Sequence, residues 1–221
     1  MASVGRQYKP VLKDNLSNGD CFFSAIFRAA RSSGVLEQIA GCMNFNTTTE
    51  DAFITGAREF VVKLVGVGQA DSYYDRYNEL FNTEPETLEA VIESESQYVQ
   101  KLIKNKLKQR QKNPATQFYT KKEYFNEVAA NILTRGTWVG QLETSLMKTA
   151  LSKCQIELKL LNTPLTGLVK REGHYEGEVF LYLLNEDEVH WKHYVLVPAG
   201  GKRRKTLKKK NGRRVTKRNR H

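Results

Sequence analysis

Gln155-Ile156-Glu157-Leu158-Lys159-Leu160 is where the period of this sequence changes. Polar and apolar side chains alternate along it, as on a strand with one buried face. Downstream, Val179-Phe180-Leu181-Tyr182-Leu183-Leu184 is apolar on both faces and reads as a central strand. His193-Tyr194-Val195-Leu196-Val197 reads as a third strand, and Asn162–Glu178 as the connection between the first two. Upstream the spacing is helical. Phe22, Ala25, Ile26, Ala29 and Ala30 recur at the spacing of one buried helix face, starting at Cys21. Further helical patterns cover Asp51–Leu64 and Asp71–Phe81. Thr83-Glu84-Pro85-Glu86 carries a helix-start signal for a segment running through Leu88 and Ile103 to a stop at Asn113-Pro114. Two more helices are expected near Lys122–Leu133 and Gln141–Ser152, while residues 1–20 read as an extended or looped lead-in. Helices first and strands last predict an α/β or α+β domain, a small central sheet packed by helices.

The chain has 221 residues, and its 35 Lys and Arg exceed its 24 Asp and Glu by eleven. Twelve of those basic residues fall in residues 200–221, which contain no acid. The other 23 stand against 24 acidic residues, so residues 1–199 are near neutral and the basic character is an appendage. We therefore expect one domain over 1–199 and a disordered tail over 200–221. This distribution argues against a nucleic-acid-binding surface spread over the domain. No apolar run approaches the roughly 18 residues of a membrane span. Met1–Asn15 has no signal-peptide core, and the few, unevenly spaced cysteines point to the reducing interior of a cell. Three cysteines, Cys21, Cys42 and Cys154, lack the number and spacing of a disulfide framework. Cys42 and Cys154 read as packing residues in a reducing compartment.

Asn18-Gly19-Asp20-Cys21-Phe22-Phe23 is the sharpest local feature. A cysteine opening a helix after a tight turn meets unpaired N–H groups at the positive end of the helix dipole. Such a cysteine is expected to ionise easily and to act as a nucleophile. The amides of Gly19, Asp20 and Cys21 are candidates for holding an oxyanion. A nucleophilic cysteine needs a base. His193, at the start of a strand, is preferred over His190, which is expected in the loop before that strand. His174 sits in a polar context and reads as exposed. No metal is expected, because no Cys-x-x-Cys or His-x-x-x-His accompanies these residues.

Asn18–Ile26 resembles the signature of the ovarian tumour (OTU) family of cysteine proteases. His193-Tyr194-Val195-Leu196-Val197 is similar to the family's closing His-aromatic motif, and Gly136–Glu143 resembles its Trp-containing helix opening. The three blocks occur in the family's order and span nearly the whole of residues 1–199. The resemblance implies a papain-like OTU fold and a deubiquitinating cysteine protease without a cofactor. Cys21 would attack the carbonyl of a ubiquitin C-terminal glycine, with His193 as base. Ubiquitin or polyubiquitin conjugates are the implied partners of a monomeric enzyme.

Two positions depart from the family pattern. Val195 stands where many members carry an Asp or Asn that orients the histidine, and Asn18 stands where others carry an acid. Asn18 either orients His193 through its side-chain oxygen or merely tolerates the turn. The same departures suggest a catalytically inactive ubiquitin-binding module as an alternative. The basic end of the helix at Lys101–Lys112 reads as a solvated face, with ubiquitin contact as a second reading. Residues 200–221 read as a nuclear-import address for an import receptor, a nucleic-acid contact or a solubilising end. Gly-Gly before a Lys/Arg-rich terminus is similar to proteins of large DNA viruses, which implies a host cytoplasm or nucleus as the setting.

Overall fold

In chain order the elements are β1 (Gln7–Lys13), α1 (Cys21–Ser33), α2 (Leu36–Met43), α3 (Glu50–Gly66), α4 (Asp71–Thr83), α5 (Pro85–Val91), a 3-10 turn (Ile92–Ser94), α6 (Gln97–Lys112), α7 (Lys121–Leu133), α8 (Gln141–Lys153), β2 (Ile156–Leu161), β3 (Val169–Lys170), β4 (Val179–Glu186) and β5 (His190–Pro198). They come from a computed structural model that describes residues 6–15, 18–172, 178–186 and 190–199. The expectations for His174 and for the tail 200–221 lie outside the described residues.

The strands form one sheet in the order β2-β4-β5-β1-β3. β2 and β4 run parallel, and the other pairs are antiparallel. The double apolar character of β4 has a direct cause. Leu181 and Leu183 face the helices with Trp191 of β5, while Phe180, Tyr182, Leu184 and Tyr194 form a second, smaller cluster on the opposite face. α1 lies between the helix-facing side of the sheet and α3, so Cys21 through Phe27 are all buried. Burial on every side, rather than along one stripe, is what a central helix requires. Phe22 meets Trp191 edge-on at 5.1 Å, and truncation of so deeply buried an aromatic ring costs about 3–5 kcal/mol.

Four expectations change. The lead-in contains β1, which pairs along its length with β5. α2 forms between Leu36 and Met43, where no helix was expected. The long helix expected after Thr83 is three pieces: Thr83 ends α4, Pro85 opens α5, and Ser96 caps α6 by accepting from the Val99 N–H. Cys42 and Cys154 are joined in a disulfide across 112 residues of sequence. Their expected role as free packing residues is thereby corrected, and the thiol count no longer points to a reducing compartment.

Candidate active site

Cys21 is the first residue of α1 and is 1% exposed. The turn before it is closed by Asn18, whose carbonyl accepts from the Cys21 N–H at 3.0 Å and whose Oδ1 accepts from the Asp20 N–H at 3.1 Å. Of the three amides expected to hold an oxyanion, two are thus occupied by Asn18 in this state. Gly19 is required by a close backbone approach: a Cβ there would lie 1.8 Å from the Gly136 carbonyl oxygen.

His193 lies within β5, opposite Leu183 of β4 and Lys13 of β1. It is 5% exposed and shares the helix-facing side of the strand with Trp191. Its Nδ1 is 2.9 Å from Oδ1 of Asn15, and the Asn15 Nδ2 donates to the Trp191 carbonyl at 2.7 Å. That second bond fixes the amide so that its oxygen faces the ring. An amide oxygen only accepts, so Nδ1 carries the proton and Nε2 is left as the acceptor. The Trp191 side chain packs on Phe22, next to Cys21, and the Trp191 backbone N–H favours ionisation of the Cys21 thiol. Cys21, Trp191, Asn15 and His193 thus form one connected corner.

Asn18 was expected to orient His193, and this is corrected. Its side chain is committed to the Asp20 amide, and Asn15 contacts the imidazole instead. Val195 packs in the sheet opposite Val11 and is no hydrogen-bonding partner. His190 is also corrected: it opens β5 opposite Glu186, and its Nε2 is 2.6 Å from Oδ1 of Asp14. The chain segment after β1 therefore grips β5 twice, through Asp14 and through Asn15. Sequence reasoning missed both residues, and no local motif marks them.

Burial pushes the Cys21 thiol above its ordinary range, and the Asp20 charge adds to this. The backbone N–H groups of Trp191, Phe22 and Cys21 oppose the rise without reversing it. The expectation of an easily ionised thiol is therefore corrected: desolvation outweighs the helix terminus. Burial also pushes His193 down to about 4, with the Arg28 charge acting in the same sense and Glu50 against it. At neutral pH the corner holds a thiol and an uncharged imidazole. A polar cleft of about 240 Å³ opens beside it, lined by Asn18, Asp20, Ser24, Arg28, Glu50 and Arg135 among others. Glu50 accepts from the Ser24 hydroxyl and pairs with Arg28 at 3.1 Å.

Trp138 is half-buried against the main core, as a packing residue is. In the basic end of α6, Lys106 lies over the Tyr119 ring and Arg110 over the Phe81 ring. No cluster of three His, Cys, Asp or Glu side chains fit to hold a metal ion occurs among the described residues. Nor is any helix among them long and apolar enough to cross a membrane.

No family model matches the chain, and no curated protein does. Among solved structures it is similar to an OTU deubiquitinase in complex with Ub-PA, at 11% identity and a TM-score of 0.44, over 85% of this chain and 73% of that one. It is similar to the viral OTU domain protease from Farallon virus at 13% identity and a TM-score of 0.38, over 86% and 85%. For the Hazara virus OTU bound to ubiquitin the values are 16% and 0.34, over 87% and 84%.

Proposed function

We propose that this protein is a cysteine protease that hydrolyses isopeptide bonds at the C-terminus of ubiquitin. The observation that carries the reading is the His193–Asn15 pair on the strand whose Trp191 packs on Phe22, next to Cys21 at the start of a buried helix. Ubiquitin enters through the resemblance of Asn18–Ile26, Gly136–Glu143 and His193–Val197 to the OTU motifs.

The protonation states suit a base-assisted attack. His193 is uncharged over the neutral range because burial pushes it down to about 4, and its bare Nε2 can take the thiol proton as Cys21 attacks. The sulfur bonds to the glycine carbonyl carbon, and the oxygen becomes an oxyanion. Its candidate donors are the amides of Gly19, Asp20 and Cys21, with Asn18 yielding those it occupies. Collapse breaks the carbon–nitrogen bond, and the lysine amine leaves with the proton from Nε2. Water then adds to the thioester, His193 again accepts a proton, and the free ubiquitin carboxylate departs with the thiol restored. Asn15 holds the ring in the required tautomer throughout. An uncharged amide stabilises the imidazolium less than a carboxylate does, so a slow enzyme is expected.

The inactive-binder reading draws on the burial of Cys21 and on the occupied amides of Asp20 and Cys21. A panel of diubiquitins separates the two readings. The enzyme is expected to cleave at least one linkage, Cys21→Ala none, and His193→Ala is expected to lose far more activity than His190→Ala. Binding of ubiquitin without cleavage of any linkage, or of a C-terminal electrophile without capture at Cys21, would support the inactive module.

A further inference from the structure

Asp20 immediately precedes α1, the position from which an aspartate ordinarily accepts hydrogen bonds from the first turn of a helix. Its side chain makes no such bond. Both carboxylate oxygens are drawn the other way. Oδ1 accepts from Nε and Nη2 of Arg58, at 3.0 and 2.7 Å, and from the Gly136 N–H at 3.2 Å. Oδ2 accepts from Nε of Arg135 at 2.8 Å. Burial alone would raise the Asp20 carboxyl, but the bonds from Arg135, Gly136 and Arg58 hold it below the usual range, so it stays an anion.

The two arginines differ in how they are held. Arg58, on α3, is 2% exposed and also donates to the carbonyls of Gly19, Ile132 and Thr137 at 3.1, 2.7 and 2.8 Å. It is part of the scaffold, and its buried charge is offset by Asp20 and by acceptors at all three guanidinium nitrogens. Arg135, in the loop between α7 and α8, has a side chain 41% exposed and reaches Asp51 at 3.1 Å as well. It can be removed without opening the core.

With its usual capping residue turned away, α1 begins with amides that no side chain covers. The Cys21 N–H is given to the Asn18 carbonyl, so it is the Phe22 N–H, together with that of Trp191, that is left to favour the Cys21 thiolate. An Asp20 carboxylate swung onto that turn would take donors from the sulfur and set a negative charge against it. We propose that Arg135 is a positioning residue for Cys21: with Arg58 it holds the Asp20 carboxylate off the first turn of α1, leaving the Phe22 amide to the sulfur. This rests on Cys21 being the nucleophile. The other charged groups facing this corner are Arg28, Glu50 and Asp51 beside the cleft and His193 and Lys13 from the sheet. Among the described residues none of them bonds to Asp20.

The test is a titration of Cys21 in the full chain, followed by thiolate ultraviolet absorbance with Cys21→Ala subtracted. Cys42 and Cys154, being disulfide-bonded, do not contribute. Arg135→Gln is expected to lower the thiolate fraction below the midpoint about threefold to tenfold, a rise in midpoint of about half to one pH unit. In an Asp20→Asn background the same substitution is expected to leave the midpoint where Asp20→Asn alone sets it. An unmoved midpoint in Arg135→Gln overturns the proposal. So does an equal shift in both backgrounds, since Arg135 would then act by its own charge and not through Asp20. Diubiquitin cleavage by the same proteins keeps the two readings apart. A wild type that titrates as described but cleaves nothing sinks the protease reading and leaves the positioning of Cys21 standing. A wild type that cleaves, with the Arg135→Gln thiol unmoved, does the reverse.

Discussion

Two asparagines three positions apart do different work at this corner. Asn18 spends its side chain on the Asp20 amide and its carbonyl on the Cys21 amide, an arrangement set by a few neighbouring residues. Asn15 reaches across the sheet to His193 and to the Trp191 carbonyl, 178 and 176 positions away in sequence. Replacing Asn15 by Ala frees the imidazole to rotate and to adopt the wrong tautomer, so kcat is expected to fall about 10²-fold with little change in KM. Replacing Asn18 by Ala releases the Asp20 amide, and its kcat is expected to exceed that of Asn15→Ala by roughly tenfold or more. Steady-state cleavage of a diubiquitin decides it, and the opposite ranking would restore Asn18 as the orienting residue. The same contrast shows what was legible beforehand. Cys21 stands in a recognisable run and His193 in another, so each could be found from its own neighbourhood. Asn15, Arg58 and Arg135 act only through partners far along the chain, and a single sequence carries no sign of such pairings.

At the scale of elements, the helix that failed to form as one piece is the informative case. Leu88, Val91, Ile92, Val99, Leu102, Ile103 and Leu107 keep a helical spacing through Ser94-Glu95-Ser96, so periodicity alone reads straight across. The break exists because Glu95 turns into the core. Its Oε1 accepts from the Tyr77 hydroxyl at 2.5 Å and its Oε2 from the Leu142 N–H at 3.2 Å, joining α4 to the start of α8. Burial raises the Glu95 carboxyl and opposes its ionisation. Gly140 lies against the same segment, where a Cβ would come within 2.1 Å of the Ser96 nitrogen. Glu95→Ala strands a buried hydroxyl and a buried amide, and is expected to lower unfolding stability by about 2–4 kcal/mol, read from the shift of a urea midpoint. A loss below about 0.5 kcal/mol, the range of an ordinary surface substitution, would mean that Glu95 does not join these elements. β1 escaped notice for a related reason. Pro10 argues against an interior strand, yet β3 reaches only Gln7 and Tyr8, so from Lys9 onward β1 has a neighbour on the β5 side alone.

For the whole molecule, near-neutral charge over residues 1–199 leaves the pH dependence of stability to a few buried groups. His193 and Glu143 pull in opposite senses. His193 is pushed from 6.5 down to about 4 by burial, so the unfolded chain binds the extra proton, and stability falls as pH drops from 6.5 toward 4. Glu143 is pushed from 4.5 up to about 7, first by burial and then by the neighbouring Glu95 charge, against the N–H groups of its own residue and of Gly140. The folded chain binds that proton, so stability falls as pH rises from 4.5 toward 7. Asp20, held below its ordinary 3.8, acts only at lower pH. Between pH 4.5 and 6.5 the slopes of His193 and Glu143 nearly cancel, and Glu95, also raised by burial, tilts the wild-type profile downward as pH rises. Glu143→Gln keeps an acceptor for the Gly140 N–H but removes the falling limb. Its stability relative to the wild type should therefore climb by about 2 kcal/mol across that window, with a limiting slope near 1.4 kcal/mol per pH unit for the one proton removed. Denaturant midpoints at three pH values suffice to see it. Parallel profiles for the two proteins would mean that Glu143 is already an anion throughout, with Arg58 compensating it across the core.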